Sequence, residues 1–263
     1  MVLLLVVSGC GEREREPAPV SAGLRIASLS PAMTTMVIDL GLEDALVGRT
    51  PFCRGLARSI PVVGSLEEID PEIILQVQPT LLLVQVSAAG LDPGLESLAE
   101  RRGFRIVQHH LDRIEDIEAA VIDIADASGR ADAVARAESW RAELREMEER
   151  ASSAATGRRV LLLYGVDPFG AAGTGTYLDE ILRTAGGQNA LARSGWREMA
   201  VEEVLATAPD MILLFGGDPG VIGELPWDVP PLIRQVNQPD ALEPSTRAIQ
   251  VATEVRRLLE GDA

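Results

Sequence analysis

Short apolar runs separated by longer stretches of mixed character set the rhythm of this chain. Residues 25–29 (Arg-Ile-Ala-Ser-Leu), 81–86, 104–107, 160–164 and 211–215 each read as a strand. The run at 81–86, Leu-Leu-Leu-Val-Gln-Val, is nearly continuous rather than alternating, as a strand buried on both faces requires. Ser30-Pro31 opens an apolar helix that runs to Leu40 and stops at Gly41. A far longer helix is predicted over 131–155, where Ala137, Trp140, Leu144, Met147 and Ala151 recur three and four residues apart on one stripe. Arg145–Glu149 and Glu146–Arg150 place opposite charges at i,i+4 on its wet side. Strands alternating with helices predict α/β layers with parallel strands. The chain then divides into a first lobe over 24–128, a linking helix over 129–155 and a second lobe over 156–263. The helix is expected to be an intramolecular spine that lets the lobes hinge little.

An internal repeat supports two lobes of related design. Residues 72–83 align without a gap to residues 202–213. In both segments a short helix begins with glutamate, stops at a proline (Pro79, Pro209) and feeds a buried strand. Proline cannot continue a helix and forces its predecessor out of the helical region. With two such halves, a cleft between them is the expected binding site.

Composition narrows the chemistry. The 263 residues carry 24 basic and 40 acidic side chains, a net charge of −16, and every basic residue is arginine. Without lysine there is no P-loop, Schiff-base or kinase lysine. His109 and His110 are the two histidines, so one chain cannot supply a three-histidine zinc site. The acidic excess is even, with 8 Arg against 16 Asp+Glu over 24–128 and 9 against 15 over 158–263. No basic patch is left for nucleic acid. There is no Gly-x-Ser-x-Gly elbow, and Gly173-x-Gly175 lacks the third glycine of a dinucleotide loop, so it reads as a tight turn opening a helix at Thr176.

The first residues carry an address rather than a fold. An apolar run at 2–7, too short to span a bilayer, leads into Val7-Ser8-Gly9-Cys10, which resembles a bacterial lipoprotein lipobox with Cys10 as the lipidated residue. No basic residue precedes the run, a departure from that pattern. Residues 1–9 are then the signal segment and 10–23 a charged, lipid-anchored tether. Cys53 is then a lone thiol in a loop, a disulfide to Cys10 being the disfavoured alternative because Cys10 sits on the tether.

The ordered series Arg25 to Pro31, Leu46-Val47-Gly48, Pro61 to Ser65, the 72–83 segment and Ile114 to Ile117 resembles the substrate-binding proteins of ABC importers for cobalamin, ferric siderophores and haem. The second half adds Leu163-Tyr164-Gly165, Gly173 to Asp179, Ala185 to Asn189 and Val201 to Leu205. This resemblance implies two α/β lobes joined by one long helix, with the ligand cleft between them. It also implies a monomeric, non-enzymatic receptor outside the cytoplasmic membrane, in a periplasm or on the outer face of the cell. Its partners are then a permease and an ATPase subunit, and it holds no permanent cofactor. The transported ligand is a metal chelate, with a corrinoid preferred over a ferric siderophore or haem. A sensor or enzyme on the same scaffold is the competing reading.

Ligand residues are expected where strands end at the cleft. The candidates are Ser30, Phe52 and Gln85 in the first lobe and Tyr164, Phe169, Trp196 and Asp240 in the second. The resemblance places an aromatic against a corrin at Phe52 and another in the loop of Trp196. It also implies docking onto the membrane subunits through Glu72 and Glu202, one per lobe. Cobalamin-binding relatives offer tryptophans where Leu66 and Gln85 stand here, whereas Arg49 and Arg54 beside Phe52 suit an anionic siderophore. His109 and His110 are weighed as axial ligands for a haem or cobalt centre, against simple solvation.

Overall fold

The structure, a computed structural model, describes residues 23–65, 68–151 and 157–261. Strand β1 (Ile26–Ser28) feeds α1 (Pro31–Asp39), then β2 (Leu46–Gly48), α2 (Pro71–Val77), β3 (Leu81–Gln85), α3 (Pro93–Arg102), β4 (Arg105–His109) and α4 (Ile114–Ser128). These strands form a parallel sheet in the order β2-β1-β3-β4. The spine helix is α5 (Ala131–Ala151). Residues 152–156, where the predicted helix continues, lie outside the described residues.

The second lobe comprises β5 (Arg159–Val166), β6 (Phe169–Ala172), α6 (Tyr177–Thr184), β7 (Gln188–Asn189), β8 (Trp196–Met199), α7 (Val201–Ala206), β9 (Met211–Leu214), α8 (Pro219–Gly223), β10 (Leu232–Gln235) and α9 (Ala248–Glu260). Its sheet runs β10-β9-β5-β6-β8, with β7 beside the start of β5. Here the sheet departs from the all-parallel expectation. A tight turn through Asp167 and Pro168 folds β6 back on β5, and β8 then pairs antiparallel with β6.

Helix starts follow a common device. Ser30, Asp70, Asp92 and Asp218 each accept first-turn amides with their side chains, and a proline follows each of them. Proline is suited to the first helical position because the N–H it lacks would have no partner there.

The repeat carries over into the backbone before each proline. Gln78 and Ala208 adopt positive φ, 46° and 41°, immediately before Pro79 and Pro209. They are the non-glycine residues that do so among those described. The arginine ahead of the paired central strand closes each helix end: Arg25 donates to the Val77 and Gln78 carbonyls, and Arg159 to that of Thr207. A cation there also complements the helix dipole. Left-handed backbone costs an L-residue roughly 1–2 kcal/mol, partly offset by the extra freedom glycine has when unfolded. Ala208→Gly is therefore expected to stabilise the protein by about 0.5–1 kcal/mol in urea unfolding. Ala208→Val should lower stability instead.

Three apolar clusters organise the layers. The outer face of the first sheet packs on α2 and α3 through Leu82, Ile74 and Leu95. The outer face of the second packs on α7 and α8 through Leu161, Val204 and Ile222. Between the sheets one continuous core joins α1, α4, α5, α6 and α9, from Ile26 and Leu83 to Leu162 and Leu213. The stripe residues Ala137, Leu144 and Met147 lie in it, and Trp140 donates its indole N–H to the Thr246 carbonyl at 2.8 Å. Polar ties reinforce the junction. Asp39 at the end of α1 binds Arg247 at 2.8 Å and also Thr246. Arg113 and the Ile114 amide bind Glu180 of α6 at 2.8 and 2.7 Å.

Candidate functional site

The segments that follow β2 and β4 in the first lobe meet those that follow β10 and β6 in the second, at the junction between the lobes. The loop after β2 carries Phe52, 66% exposed, and reaches across it: Arg54 donates to the Pro239 carbonyl at 3.2 Å and lies 3.8 Å from Asp240. The loop is pinned from below by Cys53, a free thiol that donates to Thr34 Oγ1 at 3.2 Å and lies 3.2 Å from Thr50 Oγ1. The base of the junction is a backbone contact, in which the Tyr177 amide donates to the Asp112 carbonyl at 2.6 Å. The Tyr177 phenol donates to the Ala241 carbonyl at 2.7 Å. Burial pushes that phenol far above its ordinary range, so it stays a neutral donor.

An aromatic edge rises from this base. Trp196, 39% exposed, stands on β8 rather than in the expected loop. Its ring lies 5.7 Å from that of Tyr177 and meets Tyr164 edge-on at 5.4 Å. Both separations are typical of stabilising aromatic pairs. Tyr164 sits at an irregularity in the pairing of β5 with β6, and Gly170 makes room for its ring, since a Cβ there would lie 2.3 Å from it. Burial and Glu198 raise the Tyr164 phenol.

The other candidates separate by environment. Asp240 is at the junction with Glu243, whose carboxyl is raised by burial and then by Asp240. Gln85 ends β3 and lines a cavity of about 550 Å³ beside Asp112. Ser30 is fully buried, with its hydroxyl capping α1 and bonding Gln85, so its contact with a ligand would run through Gln85. Phe169 is not in the cleft. Its register opposite Met199 turns it into the outer core with Leu161 and Leu191. His109 is held by Asp123 of α4 at 2.9 Å, and His110 is exposed. Leu66 and Cys10 lie outside the described residues. Gly173 is needed for close approach, because a Cβ would come 1.9 Å from the Arg193 carbonyl. Thr176 caps α6 as the tight-turn reading requires.

Glu72 and Glu202 are both exposed at equivalent positions in the first turns of α2 and α7. Glu203, by contrast, accepts from the Ala200 amide and pairs with Arg193 at 2.8 Å, contacts that hold its carboxyl below the usual range. Sequence reasoning missed Asp112 and Tyr177. The signal available was slight: Tyr177 is one of two tyrosines and directly follows a helix cap.

Two α/β lobes closed on a shared helical layer, with exposed aromatics at their junction, define a two-lobed binding protein. The chain belongs to the periplasmic binding protein family, whose description matches residues 26–221, and is thus an extracytoplasmic protein. It is 27% identical over 203 residues to the vitamin B12-binding protein of Yersinia pestis (strain Pestoides F), covering 75% of this chain and 71% of that one. The periplasmic vitamin B12 binding protein BtuF of Vibrio cholerae has a similar fold, with a TM-score of 0.73 and 21% identity over 90% of this chain and 96% of the other. The periplasmic heme binding protein HutB of Vibrio cholerae matches with a TM-score of 0.73 and 20% identity, over 90% and 98%.

Proposed function

We propose that this protein is the monomeric receptor of an ABC importer and captures a large metal chelate, with a corrinoid preferred, at the junction between its lobes. The exposed Trp196, backed by Tyr164 and Tyr177, carries the reading. A surface indole supported by two further rings is a rigid apolar platform suited to a broad flat ligand. Phe52 supplies a second exposed ring from the opposite lobe. Similarity to vitamin B12-binding and heme-binding proteins supports the same class of ligand. Glu72 and Glu202 dock the two lobes onto the permease, and Cys10 takes the lipid anchor. A ferric siderophore or haem is the second reading, favoured by Arg49, which pairs with no carboxylate among the described residues.

Thermal melting with cyanocobalamin, dicyanocobinamide, haem and ferric siderophores tests the proposal. A ligand present at a hundred times its Kd adds about 2.7 kcal/mol of stability. Trp196→Ala is expected to weaken binding by on the order of 2 kcal/mol, the usual loss for a central aromatic anchor. If none of the panel shifts the melting temperature, the receptor reading fails.

A further inference from the structure

The cavity of about 550 Å³ at the end of the first sheet has polar groups of unusual selectivity. Apolar Val84, Leu91 and Leu111 form its sides, and Gln85, Ser87, Asp112 and Asp92, the cap of α3, supply polar atoms. No basic residue lines it. One of its lining residues is tied to the second lobe, because the Asp112 carbonyl takes the amide of Tyr177, whose ring lies 5.7 Å from Trp196.

The direction of the Gln85 amide follows from its buried neighbours. Ser28 donates its hydroxyl to the Ser30 carbonyl at 2.9 Å, and the Ser30 amide donates to Ser28 Oγ at 3.3 Å. Ser30 Oγ accepts the Met33 amide at 3.3 Å, so its own proton has one place to go: Gln85 Oε1, at 2.9 Å. Ser30 is fully buried and has no water to fall back on. A flipped amide would leave its hydroxyl proton unpaired, which buried polar groups avoid. Oε1 is thereby committed, and Nε2 is left with two donors and no partner among the described residues.

We propose that this cavity is a subsite for a neutral carboxamide arm of the ligand. Gln85 Nε2 donates to the amide carbonyl, and the Asp112 carboxylate accepts from the amide N–H. A carboxylate arm is rejected there, since it would face Asp112 with no cation to balance it. Corrinoids carry amides at their periphery whereas haem carries carboxylates, so the subsite selects between ligands that a flat aromatic edge holds equally well. The inference rests on the chelate-receptor reading above and adds the chemistry of the arm.

Binding of dicyanocobinamide and of the corresponding corrin with its amides hydrolysed to acids, measured by titration on the full chain, tests it. The wild type is expected to bind the amide form at least tenfold more tightly. Gln85→Glu removes the donors and should cost the amide form about tenfold or more. Asp112→Asn, at an exposed position where folding is not in question, should narrow the preference by admitting the acid form. Equal binding of the two forms by the wild type, or an unchanged amide affinity in Gln85→Glu, overturns the subsite while leaving the receptor reading intact. Binding of haem or a siderophore with neither corrin bound does the same. No binding by any chelate overturns both.

Discussion

Truncating Tyr177 to alanine is expected to destabilise the protein by about 3–5 kcal/mol, the range for removing a large buried ring. The ring lies in the core that the two sheets share, 1% exposed, so its loss opens a cavity that neither lobe can close alone. Its phenol also satisfies the Ala241 carbonyl. Tyr177→Phe isolates that part and should cost about 1–3 kcal/mol, the penalty for a buried group left without its partner. Because burial keeps the phenol protonated, the difference between the two variants should not change with pH over the neutral range. Urea unfolding gives both values. A cost below about 1 kcal/mol for the alanine variant would contradict the continuous core. Trp196 loses its backing in the same variant, so affinity should fall along with stability.

If Glu72 and Glu202 dock the lobes as proposed, reversing both to arginine is expected to reduce uptake by at least about tenfold, since exchanging a docking charge for its opposite costs several kcal/mol at an interface. Both carboxylates are exposed and equivalent in the repeat, while the neighbouring Glu203 is already committed to Ala200 and Arg193. A receptor that must sit squarely over two membrane subunits needs one such group on each lobe. Ligand affinity should be unchanged, and stability should move by no more than about 0.5 kcal/mol, as for surface changes elsewhere. Transport assays in reconstituted vesicles, with melting curves as the control, separate docking from folding. Normal uptake by the double variant would assign docking to other residues.

Much of the architecture was legible from burial written into the chain. Leu81 to Val84 and Met211 to Leu214 are apolar throughout because helices cover both faces of those strands, and such runs announce themselves. Strands β8 and β10 lie at sheet edges, where exposure lets Trp-Arg-Glu-Met and Leu-Ile-Arg-Gln take almost any composition. The junction was half legible. Phe52 and Trp196 stand out as scarce aromatics in polar surroundings, and both are exposed. Phe169 shares that profile, but the fold-back of β6 sets its direction, and side-chain direction after a turn depends on register that a one-dimensional pattern does not encode. Ser30 stands at a strand end, where a ligand residue is expected, but the cap it provides to α1 demands that it be buried.

The layer between the sheets also sets the order of events during synthesis. Helix α9 brings Ala248, Val251, Ala252, Val255, Leu258 and Leu259 to a core begun by Ile26 more than two hundred residues earlier. A chain emerging from its N-terminus therefore shows to water the faces of α5 and α6 that α9 covers until α9 arrives. Nascent chains ordinarily close their leading domain first. The first lobe can follow that order, whereas the second is complete only once its last helix has been made.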